Sequence, residues 1–310
     1  MNIRGLHKLV SLMALAGLVV GCTISIPQPT ATPAAAPRVV IDSRGQEVTV
    51  PAKVERIVSL APSNTEILFA LGLGDKVVGV TNFCDYPEEA KTIEKVGDAF
   101  NVNVEKIVSL SPDLVLAIGG MREVMAKLEE LGLAVVVLQP TDLESIYQTI
   151  ELVGQAASAE AAAQALVASM RERVEAIEER LADVAERPKV FYELDATDPA
   201  KPYTAGPGTW HDQFIGLAGG INVAGQVDMP WVQLSTEEII AQDPEVIVLG
   251  DANYGVTAED VARRPGWEVI AAVRKGAVYP IDDNLISRPG PRVVEGIEAL
   301  ARILHPERFE

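Results

Sequence analysis

Two stretches of the chain carry the same pattern: residues 105–116 read EKIVSLSPDLVL, and residues 237–248, 132 positions later, read EEIIAQDPEVIV. Each copy begins with an acidic residue in a short helical pattern, passes a proline and ends in an apolar run typical of a buried strand. A pattern that recurs once, at so long an interval, is too widely spaced for a solenoid repeat. It therefore predicts two similar lobes, each with a helix followed by a strand.

Around the first copy, short apolar runs alternate with helical patterns. The runs are rich in β-branched residues, as strands are, and a hairpin-like pair of runs at 39–41 and 48–50 precedes them. Such alternation is typical of a mostly parallel sheet covered by helices. The predicted strands are 57–60, 77–80, 114–118 and 135–138, and the predicted helices are 65–71, 104–109, 123–131 and 143–155.

A long helical pattern separates the two copies. Residues 158–186 contain neither Gly nor Pro, and their apolar residues recur at spacings of three and four, along one face of a helix. This pattern predicts a single helix of about 29 residues that Pro188 ends. We therefore expect an α/β fold in which two Rossmann-like lobes are joined by a single long rigid α-helix. The cleft between such lobes is the expected place for a ligand.

The start of the chain has the pattern of a bacterial lipoprotein signal. Residues 1–22 begin with basic residues, continue as an apolar run too short to span a bilayer, and end in VVGC. This ending resembles a lipobox, which implies cleavage before Cys22 and lipidation of its sulfur. Residues 23–37 are rich in Pro, Ala and Thr and are expected to form an extended tether. After the tether we expect an N-terminal lobe over 38–157, the linking helix over 158–187 and a C-terminal lobe over 188–310.

Composition narrows the class of function. The sequence has 310 residues, of which 48% are apolar and 23% charged, so it can bury a sizeable core. Its formal net charge of −18 disfavours binding to nucleic acid phosphates. The motifs GxSxG, GxxxxGK[ST], HExxH and GxGxxG are absent, and three histidines and two cysteines leave little material for a metal site. With Cys22 lipidated, Cys84 is left as a free thiol. We expect a non-enzymatic protein without a cofactor, held outside the cytoplasm, in the periplasm or at the outer face of the cytoplasmic membrane, by its lipid anchor alone.

Aromatic and glycine-rich segments fall in predicted loops, and in their order they resemble the substrate-binding proteins of bacterial ABC importers for vitamin B12 and iron–siderophores. The resemblance covers residues 54–306, and its most specific segments are 60–66, 84–87, 230–231, 235–237 and 288–292. It implies two lobes with a ligand held between them, limited lobe closure and docking onto a membrane permease dimer. We expect the protein to act as a monomer.

The resemblance also assigns residues to the ligand, which it implies to be a corrinoid such as vitamin B12. The residues that contact the corrinoid fall on Phe83, Tyr203, Trp231, Asn284 and Arg288. At two positions the sequence departs from the family. The family's tryptophan falls on Ala99, with Phe100 beside it, and the family's aspartate falls on Asn284, with Asp283 beside it.

Two glutamates that the family uses to engage permease arginines fall on Glu105 and Glu237, the acids that the internal repeat superimposes. Two matched carboxylates, one in each lobe, suit a two-fold symmetric permease. The alternative is that each carboxylate only interacts with the dipole of its own helix, and the two roles are compatible.

Other ligands and another class of protein remain as alternatives. A haem binder needs an axial Tyr, His or Met, and a binder of anionic siderophores needs several basic residues. Arg288 is the only basic residue among the ligand candidates, which favours a large, weakly charged ligand. An extracytoplasmic α/β hydrolase would need an activated nucleophile, for which the sequence shows no motif. A further alternative is a surface sensor or scaffold that takes no part in transport. The sequence does not separate it from an importer component, because the permease is a different chain.

Overall fold

The computed structural model describes residues 36–309. The predicted signal peptide, the lipidation site Cys22 and nearly all of the predicted tether lie outside the described residues. Within the described part of the chain, no helix is both long enough and apolar enough to cross a membrane.

Strands and helices alternate along the described residues. The strands are β1 Arg38–Ile41, β2 Glu47–Val50, β3 Ile57–Ser59, β4 Val77–Val80, β5 Leu114–Ile118, β6 Val135–Leu138, β7 Lys189–Glu193, β8 Tyr203–Ala205, β9 Ile221–Asn222, β10 Trp231–Gln233, β11 Val246–Leu249 and β12 Val278–Pro280. The helices are α1 Pro62–Ala70, α2 Val104–Ser109, α3 Arg122–Glu130, α4 Leu143–Ala157, α5 Glu160–Leu181, α6 Trp210–Leu217, α7 Thr236–Gln242, α8 Ala258–Ala262, α9 Ala271–Lys275, α10 Asn284–Ser287 and α11 Val293–Leu304.

Two four-stranded parallel sheets form the two lobes, as the repeat predicts. The sheet order is β4-β3-β5-β6 in the N-terminal lobe and β9-β7-β11-β12 in the C-terminal lobe. In both sheets, the strand that comes first in the chain (β3 or β7) lies between the second (β4 or β9) and the third (β5 or β11), so the topology is the same. Two antiparallel ribbons, β1–β2 and β8–β10, stand apart from these sheets.

The repeat extends to backbone detail. Asn103 and Ser235, 132 positions apart, cap the N-termini of α2 and α7 by accepting a hydrogen bond from a backbone N–H three residues on. Ser111 and Asp243, again 132 apart, have φ of 46° and 47° and precede the prolines. A left-handed residue at this place closes each helix and redirects the chain into β5 or β11.

The helix between the lobes is shorter than the predicted 158–186. Ser158 adopts a left-handed conformation, with φ of 59°, that ends α4, and α5 then covers the 22 residues Glu160–Leu181. The reversal packs α4 against α5, where Gly154 lies so close to Ala163 that a Cβ on the glycine would fall 2.6 Å from the alanine Cβ. The predicted bounds were wrong because the helical spacing of apolar residues continues beyond both ends of α5, and no Gly or Pro marks where the helix begins or ends.

One apolar cluster spans both lobes, and each lobe also has a smaller cluster of its own. A single cluster of buried side chains joins Leu114 of β5, Met170 and Val174 of α5, Val190 of β7 and Leu300 of α11. The lobes are therefore connected by continuous side-chain packing as well as by the helix, and such packing resists large changes in their relative position.

Candidate functional site

The β8–β10 ribbon of the C-terminal lobe brings Tyr203 and Trp231 onto one face. Trp231 pairs with Ala205, and Gln233 pairs with Tyr203. Residues paired across an antiparallel ribbon lie on the same face, and so do residues two positions apart on a strand. Tyr203 and Trp231 are half-exposed, while Thr204 on the other face is buried. The structure thus places two predicted ligand residues together on an open aromatic surface.

Behind this surface lies a group of rings that sequence reasoning did not assign. Trp231 stands edge-on to Trp210 at 6.1 Å and to His211 at 5.4 Å between ring centroids. Trp210 Nε1 donates a hydrogen bond of 2.9 Å to the backbone oxygen of Ile286, and His211 Nε2 lies 3.0 Å from Ser287 Oγ. Burial lowers the pKa of His211 to about 3, so its ring is neutral at physiological pH. These bonds join the ribbon to the segment that contains the other C-terminal ligand candidates.

Of those candidates, Asp283 and Asn284 are both engaged within the C-terminal lobe. The Tyr192 hydroxyl donates a hydrogen bond of 2.7 Å to Asp283 Oδ1, and burial raises the pKa of the Asp283 carboxyl. Asn284 Nδ2 donates to Asp282 Oδ1 at 2.9 Å, and Asn253 Nδ2 donates to the same oxygen at 3.0 Å. Asp282 is thus the acceptor that orients Asn284.

Arg288 joins the two lobes. Its Nη1 donates to Asp85 Oδ1 at 2.6 Å and to Glu66 Oε1 at 3.3 Å, both in the N-terminal lobe. Arg292 donates two bonds to Glu66, of 2.9 and 2.7 Å, and its guanidinium lies 3.8 Å from the Tyr86 ring centroid. The Glu66 side chain is 1% exposed and that of Asp85 is 50% exposed. Burial opposes ionisation of Asp85, but the hydrogen bond and charge of Arg288 outweigh it and lower the pKa of Asp85.

The N-terminal lobe presents Phe83 and Phe100 on neighbouring turns. Phe83, 53% exposed, follows β4 in a turn closed by a bond from Cys84 N to Thr81 O. Phe100, 89% exposed, lies in a turn where Asp98 Oδ1 accepts hydrogen bonds from the backbone N–H groups of residues 100 and 101. Cys84, expected to be a free thiol, is buried beneath the first turn. In the part of the chain that the structure describes, neither phenylalanine stacks on another ring.

Further side chains lie at the carboxyl end of β11, where ligands commonly bind in open parallel sheets. Tyr254, at the end of the short 3₁₀ helix Gly250–Tyr254 that follows β11, is 87% exposed and was missed in the sequence. Asp251 is buried beside Glu193, which accepts two hydrogen bonds from Arg264 at 2.5 and 2.7 Å. Burial, together with the charge of Glu193, raises the pKa of Asp251 to about 7. Within residues 36–309, no group of three or more His, Cys, Asp or Glu side chains is arranged to hold a metal ion.

A cavity of about 620 Å³ lies next to the interlobe ion pairs, between α1, α5 and the start of α11. Glu66, Tyr86 and Arg292 form part of its wall, and Phe69 and Met170 are among its apolar lining. The predicted ligand residues do not line it, so it is separate from the aromatic surface of the ribbon.

Glu105 and Glu237 occupy equivalent places on the two lobes. Each is the second residue of its helix, α2 or α7, and each is exposed. In α7 the N-terminal capping box uses Glu238, and in α2 the cap uses Asn103. Among the described residues, neither Glu105 nor Glu237 has an ion-pair or hydrogen-bond partner for its carboxylate, so both carboxylates are free to bind a partner.

Two parallel-sheet lobes on one helix, with rings and polar groups where the lobes meet, define the class of two-lobed substrate-binding proteins. Comparison with known proteins agrees, since the model of the periplasmic binding protein family matches residues 57–285. The chain belongs to this family. It is therefore a binding protein of an ABC transporter that acts outside the cytoplasm, with a small-molecule ligand and a permease as partners, and it is not an enzyme.

Two relatives and two solved structures illustrate the similarity. An ABC transporter substrate-binding lipoprotein of Bacillus subtilis, YvrC, is 40% identical over 88% of this chain and 87% of its own. A vitamin B12-binding protein of Vibrio cholerae is 31% identical over 82% of this chain and 90% of its own. The structure of the Vibrio cholerae vitamin B12-binding protein BtuF matches with a TM-score of 0.70 at 29% identity, covering 83% of this chain and 99% of that one. The haem-binding protein RhuT of Roseiflexus matches with a TM-score of 0.74 at 30% identity, covering 82% and 99%.

Proposed function

We propose that the protein captures a corrinoid between its lobes and delivers it to an ABC importer permease. The observation that carries this proposal is the exposed aromatic face of Tyr203 and Trp231, which lies beside the segment that contains Asp283, Asn284 and Arg288. Large rings with a few fixed polar groups suit a bulky, mostly neutral macrocycle. Sequence identity to relatives named as vitamin B12-binding and cobalamin-binding proteins supports the same ligand class.

The charges around this surface argue against an anionic siderophore. Glu66 and Asp85 neutralise Arg288 and Arg292, and Asp282 adds a further negative charge nearby. A ligand that carries several negative charges requires unpaired Arg or Lys side chains. The site instead favours a ligand of low net charge.

Haem is the second candidate, because the ribbon presents a tyrosine. The Tyr203 ring is half-exposed on the same face as Trp231, and a tyrosine oxygen can serve as an axial ligand of haem iron. The similarity to a haem-binding structure of Roseiflexus supports this alternative.

Titration calorimetry of the purified protein with cyanocobalamin, and separately with haemin, tests the choice of ligand. We expect cyanocobalamin to bind and Trp231→Ala to lose on the order of 2 kcal/mol of its binding free energy, as a buried aromatic anchor does. Glu172→Ala, an exposed change on α5, is the matched control and should bind like the wild type. Wild-type affinity in Trp231→Ala would contradict the proposed site. If haemin binds and cyanocobalamin does not, the ligand is haem and the corrinoid proposal is wrong.

The proposal includes delivery through Glu105 and Glu237, one on each lobe. Arginines of a two-fold symmetric permease could form charge-assisted hydrogen bonds with both carboxylates. Exposed charges of this kind mainly set association rate and register, so Glu105→Ala with Glu237→Ala should slow uptake and leave ligand affinity unchanged. Glu123→Ala is the control, since Glu123 is also an exposed second residue of a helix. Uptake at the wild-type rate in the double variant would contradict this role.

The membrane anchor is also part of the proposal. The VVGC ending at Cys22 supports lipidation, and the name of the Bacillus subtilis relative includes the word lipoprotein. Metabolic labelling with palmitate should mark the wild type and not Cys22→Ser, and equal labelling of both would contradict the anchor.

A further inference from the structure

Trp231 has little support from its own strand. β10 is three residues long and, among the strands of residues 36–309, pairs with β8 alone, outside the parallel sheet of the lobe. A half-exposed indole on such a short ribbon has several staggered rotamers open to it unless neighbouring side chains restrict them. Its orientation therefore depends on neighbouring side chains, and the rings beneath it are in position to restrict it.

Two of those rings make edge-to-face contacts with Trp231. Its interplanar angle is 73° to Trp210 and 83° to His211, whereas Trp210 and His211 are stacked on each other at 29°. Edge-to-face and offset-stacked arrangements are the favoured ones for aromatic pairs. Trp210 and His211 thus act as one platform for the Trp231 ring.

The platform is fixed to the segment that precedes Arg288. Trp210 donates its Nε1–H to the Ile286 carbonyl. His211 Nε2 lies within hydrogen-bond distance of Ser287 Oγ, and the backbone N–H of Ser287 donates to the Asp283 carbonyl at 2.7 Å. These contacts join the platform to α10 and, through it, to Arg288.

His211 is a costly residue for a purely structural position. It is 2% exposed, and among the described residues its Nδ1 has no hydrogen-bond partner. A buried polar atom without a partner lowers stability, and an apolar ring of similar size would avoid that loss. Stability alone therefore does not account for a histidine here.

We propose that Trp210 and His211 are positioning residues, which hold the Trp231 ring in its ligand-binding orientation and link it to residues 283–288. The link to ligand binding rests on the proposed function, while the hold on the Trp231 ring does not. The two parts are tested by different measurements.

The first measurement needs no ligand. The protein is labelled with 5-fluorotryptophan and examined by ¹⁹F NMR, with each tryptophan assigned from its phenylalanine variant. In His211→Gln we expect the Trp231 resonance to shift and broaden, while buried Trp267 gives an unchanged signal and reports that the lobe is folded. His305→Gln is the matched control, because His305 is also buried and bonded through Nε2 but does not touch Trp231. An unchanged Trp231 resonance in His211→Gln and in Trp210→Phe would overturn the proposal.

The second measurement is a double-mutant cycle with cyanocobalamin. We expect Trp210→Phe or His211→Gln to weaken binding about tenfold, the equivalent of one or two lost aromatic contacts. Neither substitution should weaken binding further in the Trp231→Ala background, because a positioning residue acts through Trp231. Equal loss in both backgrounds would show a general structural role and overturn the link to the ligand. A shifted resonance together with wild-type affinity in Trp231→Ala would contradict the proposed function and leave the hold on the ring intact.

Discussion

The two lobes have the same scaffold but present different side chains on the loops beyond it. In both, a capped helix, a left-handed residue and a proline lead into the third strand of a four-stranded parallel sheet. The N-terminal lobe then presents Phe83 and Phe100 on open turns. The C-terminal lobe adds the β8–β10 ribbon, in which Trp231 rests on a platform of rings. Repetition thus preserves the scaffold, while the loops beyond the strands give each lobe its own chemistry.

The lobes also differ in the charges that they bring to the contact between them. The N-terminal lobe contributes the carboxylates Glu66 and Asp85, and the C-terminal lobe contributes Arg288 and Arg292. The two carboxylates also differ, since Glu66 is enclosed and Asp85 is half open to water. We therefore expect Glu66 to hold the lobes together and Asp85 to be replaceable.

The largest expected effect is on stability. Glu66→Gln keeps the shape of the side chain but leaves two arginines facing a neutral group, so we expect the free energy of unfolding in urea to fall by about 3 kcal/mol, as when one partner of a buried ion pair is removed. Asp85→Asn is the matched control in the same network, and its half-exposed pair should contribute less than about 1 kcal/mol. Equal losses in the two variants would show that the interlobe contact does not depend on the buried carboxylate.

The lobes differ a second time in the pKa values of their partly buried carboxyl groups. Burial, with the charge of Glu193, raises the pKa of Asp251 to about 7 in the C-terminal lobe, while Arg288 overcomes burial to lower that of Asp85 in the N-terminal lobe. Between about pH 4 and pH 7 the folded protein keeps a proton on Asp251 that the unfolded chain releases. The contribution of Asp251 to stability therefore falls as pH rises through this window.

Asp251→Asn removes this titration, so the stability of the variant relative to the wild type should increase as pH rises. We expect the melting temperature of the variant, relative to that of the wild type, to rise by on the order of 3 °C between about pH 5 and pH 8. Scanning calorimetry at the two pH values measures it. Asp228→Asn, an exposed acid of the same lobe, is the control and should show no such trend. A constant difference between Asp251→Asn and the wild type would mean that Asp251 is ionised throughout.

The sequence was informative where local pattern decides the structure. Strands 77–80, 114–118 and 135–138 and helix 104–109 were predicted with the bounds that the structure has. Buried strands are continuous β-branched runs, and the repeat revealed the two lobes. The bounds of α5 were not predictable, because a left-handed Ser158 between two helices leaves no Gly or Pro in the sequence.

The sequence proposes the site as a set of residues, which stays a prediction, and it does not show the network of contacts among them. Resemblance to a family drew attention to Trp231 and Arg288, and the ribbon and interlobe contacts show where they lie. It could not reveal that Arg288 is paired with Glu66 and Asp85, which lie 222 and 203 positions away in the chain. Nor did any pattern mark His211 as the ring beneath Trp231, because a buried histidine in a helical stretch looks like an ordinary core residue.

The smallest expected effects concern the rings of the N-terminal lobe. Among residues 36–309 no aromatic ring stacks on Phe83 or Phe100, so binding must order each side chain, and part of the contact energy is lost as conformational entropy. We expect Phe83→Ala to weaken cyanocobalamin binding by about 1 kcal/mol, and Phe100→Ala by less, because Phe83 lies two residues from the interlobe contact of Asp85. Titration calorimetry of both variants and of Trp231→Ala measures these losses, and Leu131→Ala is the control, an exposed apolar residue in the same lobe as the two phenylalanines. A loss in Phe100→Ala as large as that in Trp231→Ala would mean that the open turns of the N-terminal lobe are as well organised for the ligand as the supported ribbon of the C-terminal lobe.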